Sequence, residues 1–422
     1  MPISLKRGAA GVLALLVLAL PSSAAADAGD LDLSFGGDGK VLTNATPAYD
    51  YASGLVVLSN GQIVTAGPAS GARGRFMVVR YNNDGPRETS FGGDGIVFTN
   101  FTPRGDEAYD IALWNDKFVV AGTAARSGGR FALARYNDNG TLDTSFSGDG
   151  KVTTDLSPGN DWAFSVAVQS DDRIVAAGHA DREGGRFAVV RYNDDGTLDT
   201  TFSGDGKAYV NFTGVMDYVD EIALNDDGTI LAAGIATGGN GGRFALARFE
   251  ADGDLDTTFS GDGKLTTDFT PNFDGAFGVV LQGDDKIVAV GAAGRNVGLA
   301  RYEPDGDLDP TFGANLNGKV VMSFTTQVDS ADDVVLRPGG GVFIGGAAGL
   351  DRVDSRFGIA AFTASGVLDT SFGGDGKVIT NMTERFDWAL DVEIDPSTGK
   401  LVAGGIGANT QKSALARYET EN

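Results

Sequence analysis

The chain has 422 residues, with 57 acidic and 33 basic side chains, a formal net charge of −24 and no cysteine. This negative charge argues against nucleic acid or an anionic membrane as partner, because both bind through clusters of Lys and Arg. The lack of cysteine excludes disulfides, a cysteine nucleophile and thiolate zinc sites.

Residues 1–26 have the three parts of a secretory signal peptide. Lys6 and Arg7 form a basic start, residues 8–20 are an apolar run, and residues 21–26 end in small side chains. The apolar run is too short to span a bilayer as a helix. We therefore expect cleavage after Ala26 or Ala28 and a secreted or periplasmic protein without membrane insertion.

From residue 27 onward one template recurs seven times. It reads Arg-Phe-x-x-x-Arg-Tyr, then Asp-Gly, then Leu-Asp-x-Ser/Thr-Phe, then Gly-Asp-Gly-Lys. The phenylalanines of the third piece are Phe35, Phe91, Phe146, Phe202, Phe259, Phe312 and Phe372. Their regular spacing of about 56 residues predicts one supersecondary unit repeated along the chain.

The copy at residues 161–207 shows what one unit contains. Strand-like runs at 162–168, 173–178, 186–192 and 207–210 are rich in β-branched and small residues and are separated by turns. The Asp195-Gly196 pair between two of these runs is a strong hairpin signal. Four antiparallel strands in each of seven units, with almost no helical periodicity, predict an all-β fold, a seven-bladed β-propeller.

The two ends of the chain are complementary. The seventh unit stops after Arg417-Tyr418, before its fourth strand, and residues 31–42 contain that missing piece. The N-terminal strand is thus predicted to complete the last blade, which removes two open sheet edges. We expect residues 27–422 to form a single propeller domain.

At this level of detail the chain resembles the bacterial delta-60 repeat family. The resemblance rests on residues 139–152, on residues 130–136 and on the Lys/Arg-Ile-Val-x-Ala-Gly strand, and it extends over residues 30–420. It implies a propeller-type fold and a location outside the cytoplasm, and the family carries no established activity to transfer. The sixth unit departs most from the pattern, at residues 313–318 and at Ala361, where other units have an arginine.

An aspartate stands at the start of the predicted innermost strand of every unit. These residues are Asp50, Asp106, Asp161, Asp217, Asp274, Asp329 and Asp387. One interpretation is a ring at one channel mouth that binds a cation or a polar ligand. The alternative is structural, with each carboxylate capping its own strand by local hydrogen bonds to the backbone.

Two further sets of residues recur with the template. The strand-three arginines are Arg80, Arg135, Arg191, Arg248, Arg301 and Arg417, and the acids before Ser/Thr-Phe are Asp32, Glu88, Asp143, Asp199, Asp256, Asp309 and Asp369. Near-identical pairs in every unit indicate a blade-building ion pair rather than seven active sites.

The sequence offers little conventional catalytic machinery. His179 is the only histidine, and nothing around it suggests a triad. No carboxylate pair stands out from the repeat background. We predict no cofactor; calcium, at the aspartate ring or at turns such as Asn193 to Asp199, is an alternative.

Residues that break the template are the better binding candidates, because the template itself serves folding. Near the channel these are the aromatic residues Tyr51, Tyr109, Trp162, Tyr218, Phe277 and Trp388. They predict a platform for a sugar or peptide, or alternatively packing between blades.

These observations favour a secreted, monomeric, non-enzymatic binding scaffold for an extracellular protein, glycan or peptide. The first alternative is a propeller enzyme that uses carboxylates or a bound cation at the channel mouth. The second is a structural component of a surface or matrix.

Overall fold

A computed structural model describes residues 26–70, 74–103, 105–125, 128–182, 185–238, 241–350, 354–407 and 412–421. The predicted signal peptide lies outside the described residues, except for Ala26 at its end. Within the described ranges all regular structure is β, and none of it is a helix of the length and apolarity needed to cross a membrane.

The described chain forms 28 strands. The N-terminal strand is β1 (Lys40–Thr43). Blades 1 to 3 follow as β2 (Gly54–Val57), β3 (Ile63–Ala69), β4 (Arg75–Tyr81), β5 (Ile96–Thr99); β6 (Glu107–Trp114), β7 (Lys117–Ala124), β8 (Arg130–Tyr136), β9 (Lys151–Thr154); and β10 (Asp161–Val168), β11 (Ile174–Ala180), β12 (Arg186–Tyr192), β13 (Lys207–Val210). Blades 4 and 5 are β14 (Asp217–Leu224), β15 (Ile230–Gly238), β16 (Gly241–Phe249), β17 (Lys264–Thr267); and β18 (Asp274–Leu281), β19 (Ile287–Ala293), β20 (Asn296–Tyr302), β21 (Lys319–Met322). Blades 6 and 7 are β22 (Asp329–Leu336), β23 (Val342–Ala348), β24 (Arg356–Phe362), β25 (Lys377–Thr380); and β26 (Asp387–Ile394), β27 (Leu401–Gly407), β28 (Lys412–Tyr418).

The strands form seven four-stranded antiparallel sheets, which confirms the predicted seven-bladed propeller. In six blades the strands follow chain order, whereas blade 7 has the order β1-β28-β27-β26. In that blade β1 pairs with β28 in the register Lys40 to Ala416 through Thr43 to Ser413. The N-terminal strand therefore completes the last blade, as predicted.

The first strand of each blade packs against the first strands of its two neighbours. This holds from β6 round to β26 and is closed by β2 against β26, so these seven strands surround the axis of the ring. The second and third strands are almost entirely buried, as in β11 and β12. The apolar core consequently lies between the blades. The side chains that face the central channel come from the first strands.

The repeated arginine and phenylalanine join neighbouring blades. In blade 3 the Nε of Arg191 donates to Oδ2 of Asp199 at 2.7 Å, and its Nη1 donates to the carbonyl of Ala251 in the next blade at 2.5 Å. The Arg191 guanidinium lies 4.7 Å from the ring centroid of buried Phe202. The predicted blade-building pair is present in five units, with Arg135, Arg191, Arg248, Arg301 and Arg417.

Two blades depart from the predicted pairing. Arg80 pairs with Asp138 of the next blade at 2.6 Å instead of with Glu88. In blade 6, where Ala361 replaces the arginine, Arg337 from the turn between β22 and β23 pairs with Asp369 at 2.8 Å. The prediction of near-identical pairs in all units was thus wrong for these two, because other side chains supply the positive charge.

Candidate functional site in the central channel

The seven aspartates at the strand entries are buried and hydrogen-bonded to their own loops. In blade 3, Oδ2 of Asp161 accepts from the backbone N–H groups of Leu156 and Ser157 at 2.8 and 3.1 Å, and Oδ1 accepts from Oγ of Ser157 at 2.6 Å. The same arrangement recurs at Asp50, Asp106, Asp217, Asp274 and Asp387. Asp329 accepts from the N–H and the hydroxyl of Thr325. This is the structural interpretation; ligand binding by these residues stays a prediction.

A bulge in the first strands brings a second set of side chains into the channel. In β10, Ala163 pairs with Gly178 and Ser165 pairs with Ala177, which leaves Phe164 as the extra residue. Six of the seven first strands share this shift. The extra residue and the one after it both line the channel, because the bulge interrupts the alternation of faces.

The residues at these two positions form two rings, which we name here. The bulge ring consists of Ser53, Tyr109, Phe164, Asp220, Phe277, Asp332 and Leu390. The acid belt, one residue further along, consists of Asp110, Ser165, Glu221, Asp333 and Asp391, with Gly54 and Gly278 at the remaining places. Together with Glu393, seven carboxyl groups line a cavity of about 570 Å³.

At five of its seven places the acid belt links a blade to the next through a hydrogen bond to the backbone. The carboxylate–amide pairs are Asp391 with Leu55 (2.6 Å), Asp110 with Val166 (2.7 Å), Glu221 with Val279 (2.5 Å) and Asp333 with Val392 (2.8 Å). In blade 3 the Oγ of Ser165 accepts from the N–H of Ile222 at 3.3 Å. The belt therefore satisfies inward-facing N–H groups that would otherwise have no partner.

The glycines of the belt explain its two irregular places. Gly54 and Gly278 have no side chain to offer the following blade. There the N–H groups of Ile111 and Val334 donate instead to Oδ1 of the preceding aspartate in their own strand, at 2.6 and 2.7 Å. The seven blades thus satisfy this N–H in three ways, with an acid of the preceding blade in four, with Ser165 in one and with an aspartate of the same strand in two.

The channel shifts the titration of its carboxyls. Removal from bulk water, together with repulsion from neighbouring carboxyls, raises the pKa of Asp110, Asp332 and Glu393 to about 7. Burial and then repulsion from Asp332 raise the pKa of Asp220 well above its usual range. No Lys, Arg or His is among the described residues that line this cavity.

The aromatic residues predicted near the channel occupy different places. Tyr109 and Phe277 line the cavity directly. Trp162 stacks on Phe164 and on His179, with ring centroids 6.3 and 5.3 Å apart. The ring centroid of Tyr218 lies 6.1 Å from that of Phe164. Trp162 and Tyr218 therefore both lie next to the aromatic ring of Phe164.

Trp388, on the opposite side of the channel, contacts an acid instead. Its Nε1 donates to Oδ2 of Asp332 at 2.6 Å, and Oγ of Ser330 donates to the same oxygen at 3.0 Å. Tyr51, at the corresponding place of blade 1, is half-buried and does not line the cavity. The structure therefore brings Trp162, Tyr218 and Trp388 to the neighbourhood of the bulge ring.

Sequence analysis missed the carboxyls of the channel. The expectation that no carboxylate pair stands out was wrong, since blades 2, 4, 6 and 7 each place an acid at the belt position. Aligning the seven units on the entry aspartate and reading the third and fourth residues after it would have revealed the cluster. His179 lies within the aromatic group, where its Nδ1 hydrogen-bonds the carbonyl of Asp217 at 3.2 Å.

The comparisons with known proteins support the fold. Five segments, residues 58–91, 115–146, 169–202, 226–259 and 282–312, match the family model described as a β-propeller domain of unknown function (DUF5122). The match agrees with a repeat family of propellers, while the delta-60 assignment stays a resemblance. No curated protein matches the sequence.

Two solved structures similar to this chain are forms of virginiamycin B lyase from Staphylococcus aureus. The selenomethionine-substituted enzyme aligns with a TM-score of 0.55 and 12% identity, over 90% of this chain and 98% of the lyase. A catalytically inactive variant of the lyase with quinupristin aligns with a TM-score of 0.53 and 12% identity, over 89% and 98%. At this identity the likeness concerns the fold alone.

Proposed function

We propose that the protein is a secreted, non-enzymatic binding scaffold that takes a cationic ligand into its central channel. The observation that carries the proposal is the distribution of charge in the cavity. Seven carboxyl groups line it, and no positively charged side chain of the described residues lies among them. A cavity of about 570 Å³ falls within the range of small-molecule binding sites.

Electrostatics explains why a cation would bind there. The carboxyls repel one another and are held away from bulk water, so part of them is protonated at neutral pH. A positive charge within about 4–6 Å favours the ionised form. Binding of a cation would therefore release protons from the channel carboxyls. It would also replace the repulsion among these carboxylates by their attraction to the cation.

One observation favours a second candidate, acid–base catalysis. The carboxyl groups of Asp333 and Asp391 lie next to each other, and the charge of Asp333 raises the pKa of Asp391. A pair that shares a proton contains both a carboxylic acid and a carboxylate, which are the two partners of general acid–base catalysis. We rank this candidate second because each of the two carboxylates also holds a backbone N–H of the next blade.

Calorimetric titration of the protein with cationic probes tests the proposal. Calcium chloride and spermidine serve as cations and citrate serves as the anionic probe. The variant Glu221→Gln/Asp391→Asn removes two charges from the belt, while its amide oxygens still accept from Val279 and Leu55. The control Asp194→Asn/Asp226→Asn removes two charges from exposed outer turns.

We expect at least one cationic probe to bind the wild type and the control equally. The belt variant should bind it at least tenfold more weakly, and citrate should not bind. Equal affinity of the belt variant, or no binding of either cation, would overturn the proposal.

A further inference from the structure

We propose that the cation is a linear polyamine, with its ammonium groups on carboxyls at successive depths of the channel and its methylenes on aromatic rings. This inference rests on the proposed function and names the ligand class of the same site. The inference rests on three observations. They are the composition of the bulge ring, one carboxylate oxygen without a partner, and the positions of carboxyl groups at different depths of the channel.

Aromatic and acidic side chains alternate on one side of the bulge ring. Around the axis, blades 3 to 6 contribute Phe164, Asp220, Phe277 and Asp332 in that order. An ammonium group is attracted both to a carboxylate and to the face of an aromatic ring. A strongly hydrated metal ion gains nothing from the rings, so the alternation selects an organic cation.

Among the described acids of the bulge ring and the acid belt, Asp220 is the one with a buried oxygen that lacks a hydrogen-bond partner. Its Oδ2 is buried and has no hydrogen-bond partner among the described residues, although Asp220 lines the cavity. By contrast, Oδ2 of Asp332 already accepts from Trp388 and Ser330. Rotation about the broad χ2 torsion of Asp220 would turn its free oxygen towards a ligand in the cavity, so an ammonium group would satisfy it.

The aromatic rings beside Asp220 form a wall on blades 2 to 4. The ring centroid of Phe164 lies 5.1 Å from that of Tyr109 and 6.1 Å from that of Tyr218. Tyr218 precedes Asp220 by two residues on β14, and the Asp220 charge acts on it, adding to the burial that raises the Tyr218 pKa. An ammonium bound to Asp220 therefore meets the face or edge of these rings.

Carboxyls occur at more than one depth, which indicates a chain with several positive charges. Asp220 belongs to the bulge ring, Glu221 to the belt, and Glu393 lies two residues beyond Asp391 of the belt. With a rise of about 3.3 Å per residue, these levels cover roughly 10 Å along the strands. Ammonium groups separated by short methylene chains match this spacing. Among the described residues no three acids or histidines are grouped closely enough to hold one metal ion.

The test compares spermidine with calcium on three proteins by calorimetric titration. The variants are Asp220→Asn, which removes the unpartnered carboxylate with little change of shape, and Phe164→Leu, which removes the central ring. We expect spermidine to bind the wild type and to lose at least tenfold in affinity with Asp220→Asn, as for the loss of a charge-assisted hydrogen bond. Phe164→Leu should weaken spermidine severalfold without weakening calcium.

The outcomes separate this inference from the proposed function. If calcium binds and spermidine does not, or if both variants bind spermidine like the wild type, the polyamine assignment is overturned while a cationic ligand stands. If neither cation binds, both fail. The melting temperatures of the two variants and the control Asp226→Asn, whose side chain is exposed, show whether a loss of binding reflects the site or misfolding. At one spermidine concentration the melting temperature should rise less for Asp220→Asn than for the wild type and the control.

Discussion

Asp333 of blade 6 accepts from the N–H of Val392 in blade 7 at 2.8 Å, which places its carboxyl group beside that of the preceding residue, Asp391. Two carboxyls so placed can share a hydrogen bond only when one of them carries a proton. Burial in the channel, and then the charge of Asp333, raises the pKa of Asp391 well above its usual range. The two residues therefore titrate as a pair and keep a proton at pH values where an exposed aspartate has lost it.

This protonation predicts that the free energy of unfolding decreases as the pH rises from about 4 to above 7. The pKa of Asp110, Asp332 and Glu393 is about 7 in the folded protein, against about 4 in an unfolded chain. Because the folded state binds these protons more tightly, their contribution is complete below pH 4 and is lost as the pH passes 7. It amounts to at most about 4 kcal/mol for each carboxyl. Urea unfolding between pH 4.5 and 8.5 measures it.

A single substitution identifies the source of this slope. Asp332→Asn keeps an oxygen for the bonds from Trp388 and Ser330 and has no proton to lose. We expect a smaller decrease in stability between pH 4.5 and 8.5 than in the wild type. The exposed Asp226→Asn should leave the slope unchanged. An identical slope in all three proteins would contradict this origin.

The opposite shift predicts a loss of stability in acid. Burial acts to raise the pKa of Asp143, but hydrogen bonds from Lys117 and Ser145, together with the charge of Arg135, outweigh it and hold that pKa well below its usual value. Such a group stabilises the fold above pH 4 and loses this contribution as the pH falls towards its folded pKa. The free energy of unfolding should therefore be greatest near pH 4–5, which the same urea series extended to pH 2.5 would show.

The repeated sequence made the fold predictable. The residues that line the channel depend on a bulge in the first strands, and the repeated sequence does not reveal that bulge. The strands predicted at 186–192 and 207–210 coincide with β12 and β13, because Asp195-Gly196 and the apolar runs fix them locally. The bulge at Phe164 is set by pairing with the neighbouring strand. Strict alternation would send neighbouring residues such as Asp332 and Asp333 to opposite faces, so their meeting in the channel could not be inferred. The replacement of a missing arginine by Arg337 likewise depends on how the turn between β22 and β23 is placed in the fold.

Blade 6 allows a test of whether Arg337 has the same role as the strand-three arginine of the other blades. Arg337 pairs with Asp369 at 2.8 Å and lies 4.5 Å from the ring centroid of Phe343. Arg337→Ala should lower the free energy of unfolding by about 1–2 kcal/mol, since it removes a charged hydrogen bond in a partly buried pair. Adding Ala361→Arg restores the arginine that other blades carry and should recover part of the loss in urea unfolding. A double variant no more stable than Arg337→Ala would contradict the equivalence of the two arginines.

The strand-entry aspartates are expected to act on stability and not on ligand binding. Asp161→Ala removes the acceptors of two N–H groups and one hydroxyl around Leu156 and Ser157. Buried donors left without partners cost about 1–3 kcal/mol each. We expect a destabilisation of roughly 2–5 kcal/mol in urea unfolding, against less than about 1 kcal/mol for Asp155→Ala, whose exposed side chain pairs with Arg130. Spermidine affinity below the melting temperature should be unchanged; a tenfold loss would assign these aspartates to the ligand site after all.

The contact between Asp32 and Arg417 fastens the N-terminal segment to the last blade. Oδ2 of Asp32 accepts from Nε of Arg417 at 2.7 Å and lies 2.9 Å from Nζ of Lys400, and both Asp32 and Arg417 are buried. Asp32→Ala removes the closest carboxylate of the Arg417 guanidinium and leaves it the longer contact with Asp395 at 3.8 Å, so we expect a loss of about 3 kcal/mol in the free energy of unfolding. The control Asp38→Ala removes an exposed carboxylate 3.8 Å from Lys40 and should cost less than about 1 kcal/mol. Because β1 pairs only with β28 among the described strands, Asp32→Ala should also speed amide exchange in β1 more than in the internal strand β12. Uniform exchange in both strands would mean that the ring opens as a whole and not at this seam.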